Sequence, residues 1–180
     1  MNSKAEEYLK DYLVALLKVA KEEKAEVDTI QVNRIFFLLE KEKGVNLNLD
    51  FEPELFGPYS EKLNETLYEL ILKGSVKVID KEANQISFKD LVIGLTRPLE
   101  LNGDYDVKVD KEILDFFRQF VVKDTKDILK YFYSKYSNYI KLSKIKGMSL
   151  EINGRSISLN IRDAIVDLEI AKIIKNNITS

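Results

Sequence analysis

The apolar residues of this chain change their spacing at Gly74, and that change sets the order of its elements. Before it, Leu9, Tyr12, Leu13, Leu16, Leu17 and Ala20 recur three and four residues apart and predict a helix over about 5–24. Asp28 or Thr29 is placed to cap a second helix, with Val32, Ile35, Phe36 and Leu39 on its buried face. The run Glu40-Lys41-Glu42-Lys43 and Gly44 end it, and Arg34 is the one cation among its apolar positions. Leu47, Leu49 and Phe51 then alternate as a short extended segment. Phe56-Gly57-Pro58-Tyr59-Ser60 forms a compact junction, because Pro58 fixes its own φ and disfavours helix at Gly57. Phe56 and Tyr59 are expected to bury against the first three helices. Ser60 can cap a third helix over 60–73, lined by Leu63, Leu67, Leu70 and Ile71, with Gly74 as its left-handed end.

After Gly74 the period is two. Val76 and Val78 alternate with charged neighbours, residues 81–84 make a turn, and Ile86 and Phe88 alternate again, predicting a β-hairpin. A short strand over 91–95 follows, ended by Pro98. Helix, helix, helix, hairpin is the order of a winged helix-turn-helix, with a longer link before the third helix than the minimal motif has. In the second half Asp110 is placed to cap a helix bearing Ile113, Phe116, Phe117 and Phe120 after a turn at Leu101-Asn102-Gly103-Asp104. Asp124 or Thr125 starts another, with Ile128, Leu129, Phe132, Tyr133 and Tyr136. Asn153-Gly154 between alternating apolar residues is the strongest hairpin signal in the chain. A last helix is expected from Asn160 on. The expected fold is therefore mainly α with small β-hairpins. A winged-helix-like part spans 1–98, and a helical extension with a short hairpin spans 99–180, the two packed as one unit.

Composition narrows the chemistry. The chain has no cysteine and no histidine, which excludes thiolate or imidazole zinc sites, thiol nucleophiles and histidine-based triads. Its seven glycines, Gly44, Gly57, Gly74, Gly94, Gly103, Gly147 and Gly154, are scattered as turns and caps rather than clustered as a phosphate loop. A carboxylate-only magnesium site stays formally open. The close acidic pairs, Glu52 with Glu54 and Asp104 with Asp106 and Asp110, fall where caps and turns place acids anyway. No catalytic residue, metal, cofactor or small-molecule substrate is expected. The sequence starts directly in a charged helical pattern, and its apolar runs are short, so a cytoplasmic protein without membrane contact is expected.

Charge is polarised along the chain. Residues 1–60 carry 8 basic and 12 acidic side chains, whereas residues 122–180 carry 11 basic and 6 acidic. The basic half holds Lys130, Tyr131, Tyr133, Lys135, Tyr136, Tyr139, Lys141, Lys144 and Lys146, in which lysine and tyrosine interleave. Such a surface suits phosphates or a protein partner, or else the rings pack inward under snorkelling lysines. The third helix carries Glu61, Glu65 and Glu69 against Lys62 and Lys73, which opposes ordinary reading of a DNA groove. The hairpin lysines Lys77, Lys81 and Lys89 are better placed for DNA.

The segment Gln31-Val32-Asn33-Arg34-Ile35-Phe36-Phe37-Leu38-Leu39, the Gly57-Pro58-Tyr59-Ser60 turn and the leucine-spaced helix to Gly74 together resemble the Panacea or SocA-like antitoxin-associated proteins and their archaeal relatives. The resemblance covers about residues 29–96, with Arg34 and Gly57-Pro58-Tyr59 as the shared signature; the family more often has a small or β-branched residue after Gly-Pro. The stretch from Leu129 through Tyr136 is also similar to a recurrent piece of those archaeal proteins. The resemblance implies a helical pair leading into a winged-type hairpin, and a role in neutralising a toxin or adapting a client to a protease. The functional expectation is a non-enzymatic regulatory or adaptor protein, antitoxin-like. The alternative is a DNA-binding winged-helix transcriptional regulator. The partner is then a protein or duplex DNA, and a homodimer is expected.

Overall fold

The computed structural model describes residues 4–54, 57–79, 98–123, 125–139, 149–152 and 155–158. Helix α1 (Lys4–Glu22) buries Leu9, Leu13, Leu16, Leu17 and Ala20 of the predicted stripe, with Tyr12 half-buried at its edge, and buries Ala15 and Val19 as well. Helix α2 (Thr29–Lys43) starts in a complete capping box. The Asp28 carboxylate accepts the Gln31 N–H at 2.8 Å while the Gln31 side chain accepts the Asp28 N–H at 3.0 Å.

One stripe was expected to face the core from α2, but all eight residues from Val32 through Leu39 are buried, Asn33 and Arg34 among them. A helical stretch buried on every side belongs inside rather than at a surface. Phe36 meets Phe117 at 5.8 Å on one side, while Phe37 lies within 6 Å of Phe51, Phe132, Tyr136 and Tyr139 on another.

A small antiparallel pair, β1 (Glu52–Glu54) with β2 (Gly57–Tyr59), follows in the register Glu52↔Tyr59 and Pro53↔Pro58. It delivers the chain to α3 (Glu61–Leu72), capped by the Ser60 hydroxyl, which accepts the Leu63 N–H at 3.1 Å. Gly74 ends this helix at φ +77°, where the Ser75 N–H turns back to the Leu70 carbonyl at 2.9 Å.

Strand β3 (Val76–Val78) pairs antiparallel with β4 (Leu99–Leu101) in the register Val76↔Leu101. The expected partner strand of Ile86 and Phe88, with Lys81 and Lys89, lies outside the described residues, as does the strand over 91–95. Leu101 ends β4 instead of opening the turn assigned to it, and Leu99 reaches Val27 through a further bridge. Helix α4 (Lys111–Val121) buries Ile113, Phe116, Phe117, Phe120 and Val121. Asp110 stands at its N-cap without making the side-chain bond expected of it.

Helix α5 (Thr125–Lys135) leads to a 3-10 turn (Ser137–Tyr139), and β5 (Ser149–Ile152) pairs with β6 (Arg155–Ser158) across Asn153-Gly154. The helix expected after Asn160 lies outside the described residues. The fold is mainly helical with small antiparallel β pairs, in a coarse winged-helix-like arrangement. Buried residues from both sides of Pro98 join one hydrophobic cluster. Among the described residues, no helix is long and apolar enough to cross a membrane.

Candidate functional site

Three places gather the residues singled out by the sequence. The first is the junction between α2 and α3. Strand alternation turns Pro58 and Ser60 inward and Tyr59 outward, so Tyr59 is exposed where burial was expected. Phe56 lies outside the described residues. Gly57 has φ +117°, and a Cβ there would stand 3.4 Å from Nε of the buried Arg34.

Beside it a polar network ties the elements together. The Asn33 side chain accepts the Ser60 N–H and an Asn64 amide N–H, each at 3.0 Å, and donates to the Thr29 carbonyl at 2.8 Å. The Ser60 hydroxyl donates to the Leu49 carbonyl at 2.5 Å. Buried polar groups need such partners, and this set makes the junction structural. Asn33 and Asn64 were missed as partners; the signal available was an asparagine standing inside an otherwise apolar helical run.

The second place is a cleft of about 460 Å³ lined by Leu49, Asp50, Glu52, Tyr59, Glu61, Lys62 and Glu65. The loop before β1 forms one wall. Leu47 and Leu49 anchor it in the core, and both of their N–H groups donate to the Glu40 carboxylate, at 3.0 and 3.2 Å. Asn48 and Asp50 take left-handed φ values of 53° and 48° between and beyond these anchors. Lys62 turns its ammonium to the Leu47 carbonyl at 3.3 Å, leaving the four carboxylates to dominate the cleft. No group of three or more acidic side chains among the described residues has the arrangement of a metal site.

The third place is where α5 lies against the end of α2. Glu42 Oε1 accepts hydrogen bonds from the Tyr131 hydroxyl, from the Tyr136 hydroxyl at 3.1 Å and from the Lys135 ammonium at 3.2 Å. Partial burial acts to raise the Glu42 carboxyl, but these three donors outweigh it and hold the group below the usual carboxylate range. The tyrosine hydroxyls are pushed up by burial and by the same carboxylate. Lys135 is raised by its bonds to Tyr131 and Glu42, and its ammonium sits 5.5 Å from the centroids of both tyrosine rings.

The lysine–tyrosine stretch is thus partly consumed within the fold: Tyr131, Lys135 and Tyr136 face Glu42. Lys130 and Tyr133 belong to α5, but their side chains lie outside the described residues, as do Lys141, Lys144 and Lys146 entirely. Lys77 is exposed on β3 opposite Glu100. Of the predicted lysines, Lys77 and Lys135 are the two whose side chains are described. Comparison with protein-family models, curated proteins and solved structures finds no match to this chain.

Proposed function

We propose that this protein is a non-enzymatic, regulatory or adaptor module that works by binding another protein. The outward face of α3 carries this reading. In a winged helix that face would approach a DNA groove, yet here it presents Glu61, Glu65 and Glu69 beside exposed Tyr68 and Leu72. Carboxylates facing phosphates forfeit the counterion release that drives binding to duplex DNA. A half-acidic, half-apolar helix face suits a protein partner instead, with the tyrosine as an anchor. The antitoxin-like role implied by the Gly-Pro-Tyr-Ser resemblance is one form of such an adaptor.

The second reading is a DNA-binding winged-helix regulator, favoured by the coarse element order and by exposed Lys77 on β3. Titration of a labelled 30-base-pair duplex at 50 and 200 mM salt separates the two. The adaptor reading expects no duplex binding at micromolar protein in 50 mM salt. Micromolar binding that weakens steeply at 200 mM would replace it with the regulator.

A further inference from the structure

We infer that the exposed stripe of α3, Glu61, Glu65, Tyr68 and Leu72, docks a lysine- or arginine-rich amphipathic segment of a partner protein, with the adjoining cleft receiving its cations. The inference rests on the protein-binding reading above and names the chemistry of the partner.

The stripe follows from helix geometry. Steps of four, three and four residues keep these side chains within about 60° of arc along about 16 Å of helix. The opposite face, with Leu63, Thr66, Leu67 and Leu70, is already spent on the core. Tyr68 is 61% exposed and Leu72 is 69% exposed, so the C-terminal half of the stripe offers two large apolar side chains that nothing among the described residues covers. Single exposed apolar residues are common on any surface, but an i, i+4 pair continuous with a cleft is the shape that takes an amphipathic segment.

Charge chooses the occupant. Glu61 and Glu65 line the cleft together with Asp50 and Glu52, and none of the four forms an ion pair among the described residues. Glu69, on the flank of the stripe, is by contrast held by Lys10 at 2.9 Å. A second copy of the chain meeting this face through a two-fold axis would set the same carboxylates against each other. Phosphate-bearing ligands meet the same repulsion. A segment whose leucines or similar residues cover Tyr68 and Leu72 while its cations enter the cleft satisfies both halves, and its encounter is accelerated by the field.

Fluorescence anisotropy with the full chain tests this. The probe is a labelled 18-residue peptide of lysine and leucine, its leucines spaced to form one helical face, in 50 mM salt. Saturable binding is expected. Tyr68→Ser with Leu72→Ser should weaken it at least about tenfold, and Glu61→Lys with Glu65→Lys should weaken it as much and flatten its salt dependence. Asp106→Lys with Asp127→Lys changes net charge equally at exposed positions elsewhere and should cost less than about twofold. All six substituted residues are exposed, and circular dichroism verifies that the variants fold. No binding at 100 µM protein, or equal losses in the stripe and control variants, overturns the inference. If neither peptide nor duplex DNA binds, the basic-partner assignment alone fails; if the duplex binds with steep salt dependence, the protein-binding reading itself fails.

Discussion

Asn33 Oδ1 accepts the N–H of Ser60 at 3.0 Å, joining the middle of the buried helix α2 to the residue that caps α3. Both residues are buried, so neither group has water as an alternative partner. The same oxygen takes an amide N–H of Asn64, so the cap and the first turn of α3 are both tied to one α2 side chain.

Asn33→Ala should therefore cost about 1–3 kcal/mol, mostly as the desolvation of a Ser60 N–H left without an acceptor. Urea unfolding measures it. A change below about 0.5 kcal/mol would mean that the junction relaxes to another acceptor and that Asn33 does not organise it.

Gly57 and Gly74 both have positive φ, at +117° and +77°, but their surroundings differ. A Cβ at Gly74 meets nothing within 4 Å, whereas one at Gly57 meets the Arg34 side chain at 3.4 Å. Gly74→Ala should cost about 1–2 kcal/mol from the left-handed conformation alone. Gly57→Ala should cost more, about 2–4 kcal/mol, since its φ lies beyond the left-handed helical well and a buried guanidinium must shift with it. Equal losses in thermal melts of the two variants would remove Arg34 from the account.

Local chemistry was legible before the fold was known. The Asp28 and Ser60 caps, the stripe of α1, the left-handed Gly74 and the β5–β6 pair around Asn153-Gly154 each depend on residues a few positions apart. What escaped was decided over long distances. The spacing of Val32, Ile35, Phe36 and Leu39 predicts a single stripe, whereas the run of five apolar residues from Ile35 to Leu39 is what goes with burial all round. Val76 and Val78 alternate as a strand should, but their pairing with Leu99–Leu101, more than twenty residues on, is not written in that local pattern. Pairing partners are chosen by the packing of both sheet faces, which no local pattern carries. Glu42 read as one member of a charged helix end; only folding brings Tyr131, Lys135 and Tyr136 to it.

The last prediction sets two carboxylates against each other in pH. Burial pushes the Asp28 carboxyl up to about 6, against the lowering effect of the Gln31 N–H, the Arg34 charge and the Ile30 N–H. A carboxyl raised on folding binds protons more tightly in the native state, so its contribution to stability falls as pH rises from about 4 to above 6. At pH 7 the Asp28 charge is a net cost. Asp28→Asn keeps an acceptor oxygen for the Gln31 N–H and removes that charge, and should raise stability at pH 7 by about 1–2 kcal/mol. Glu42 has the opposite sign: its carboxyl is held low, so its contribution is present at neutral pH and is lost as pH falls through the acid range. Glu42→Gln should then lower stability at pH 7 by about 1–2 kcal/mol, as the charge-assisted bonds from Tyr131, Tyr136 and Lys135 weaken. Urea melts at pH 7, 5.5 and 4 check both. The Asp28→Asn gain should shrink towards zero by pH 4, where the native Asp28 is already protonated, and the Glu42→Gln loss should also shrink as the wild-type carboxylate begins to titrate. A gain for Asp28→Asn that is the same at pH 4 and pH 7 would show that the asparagine improves the cap by geometry and that burial of charge is not what Asp28 costs the fold.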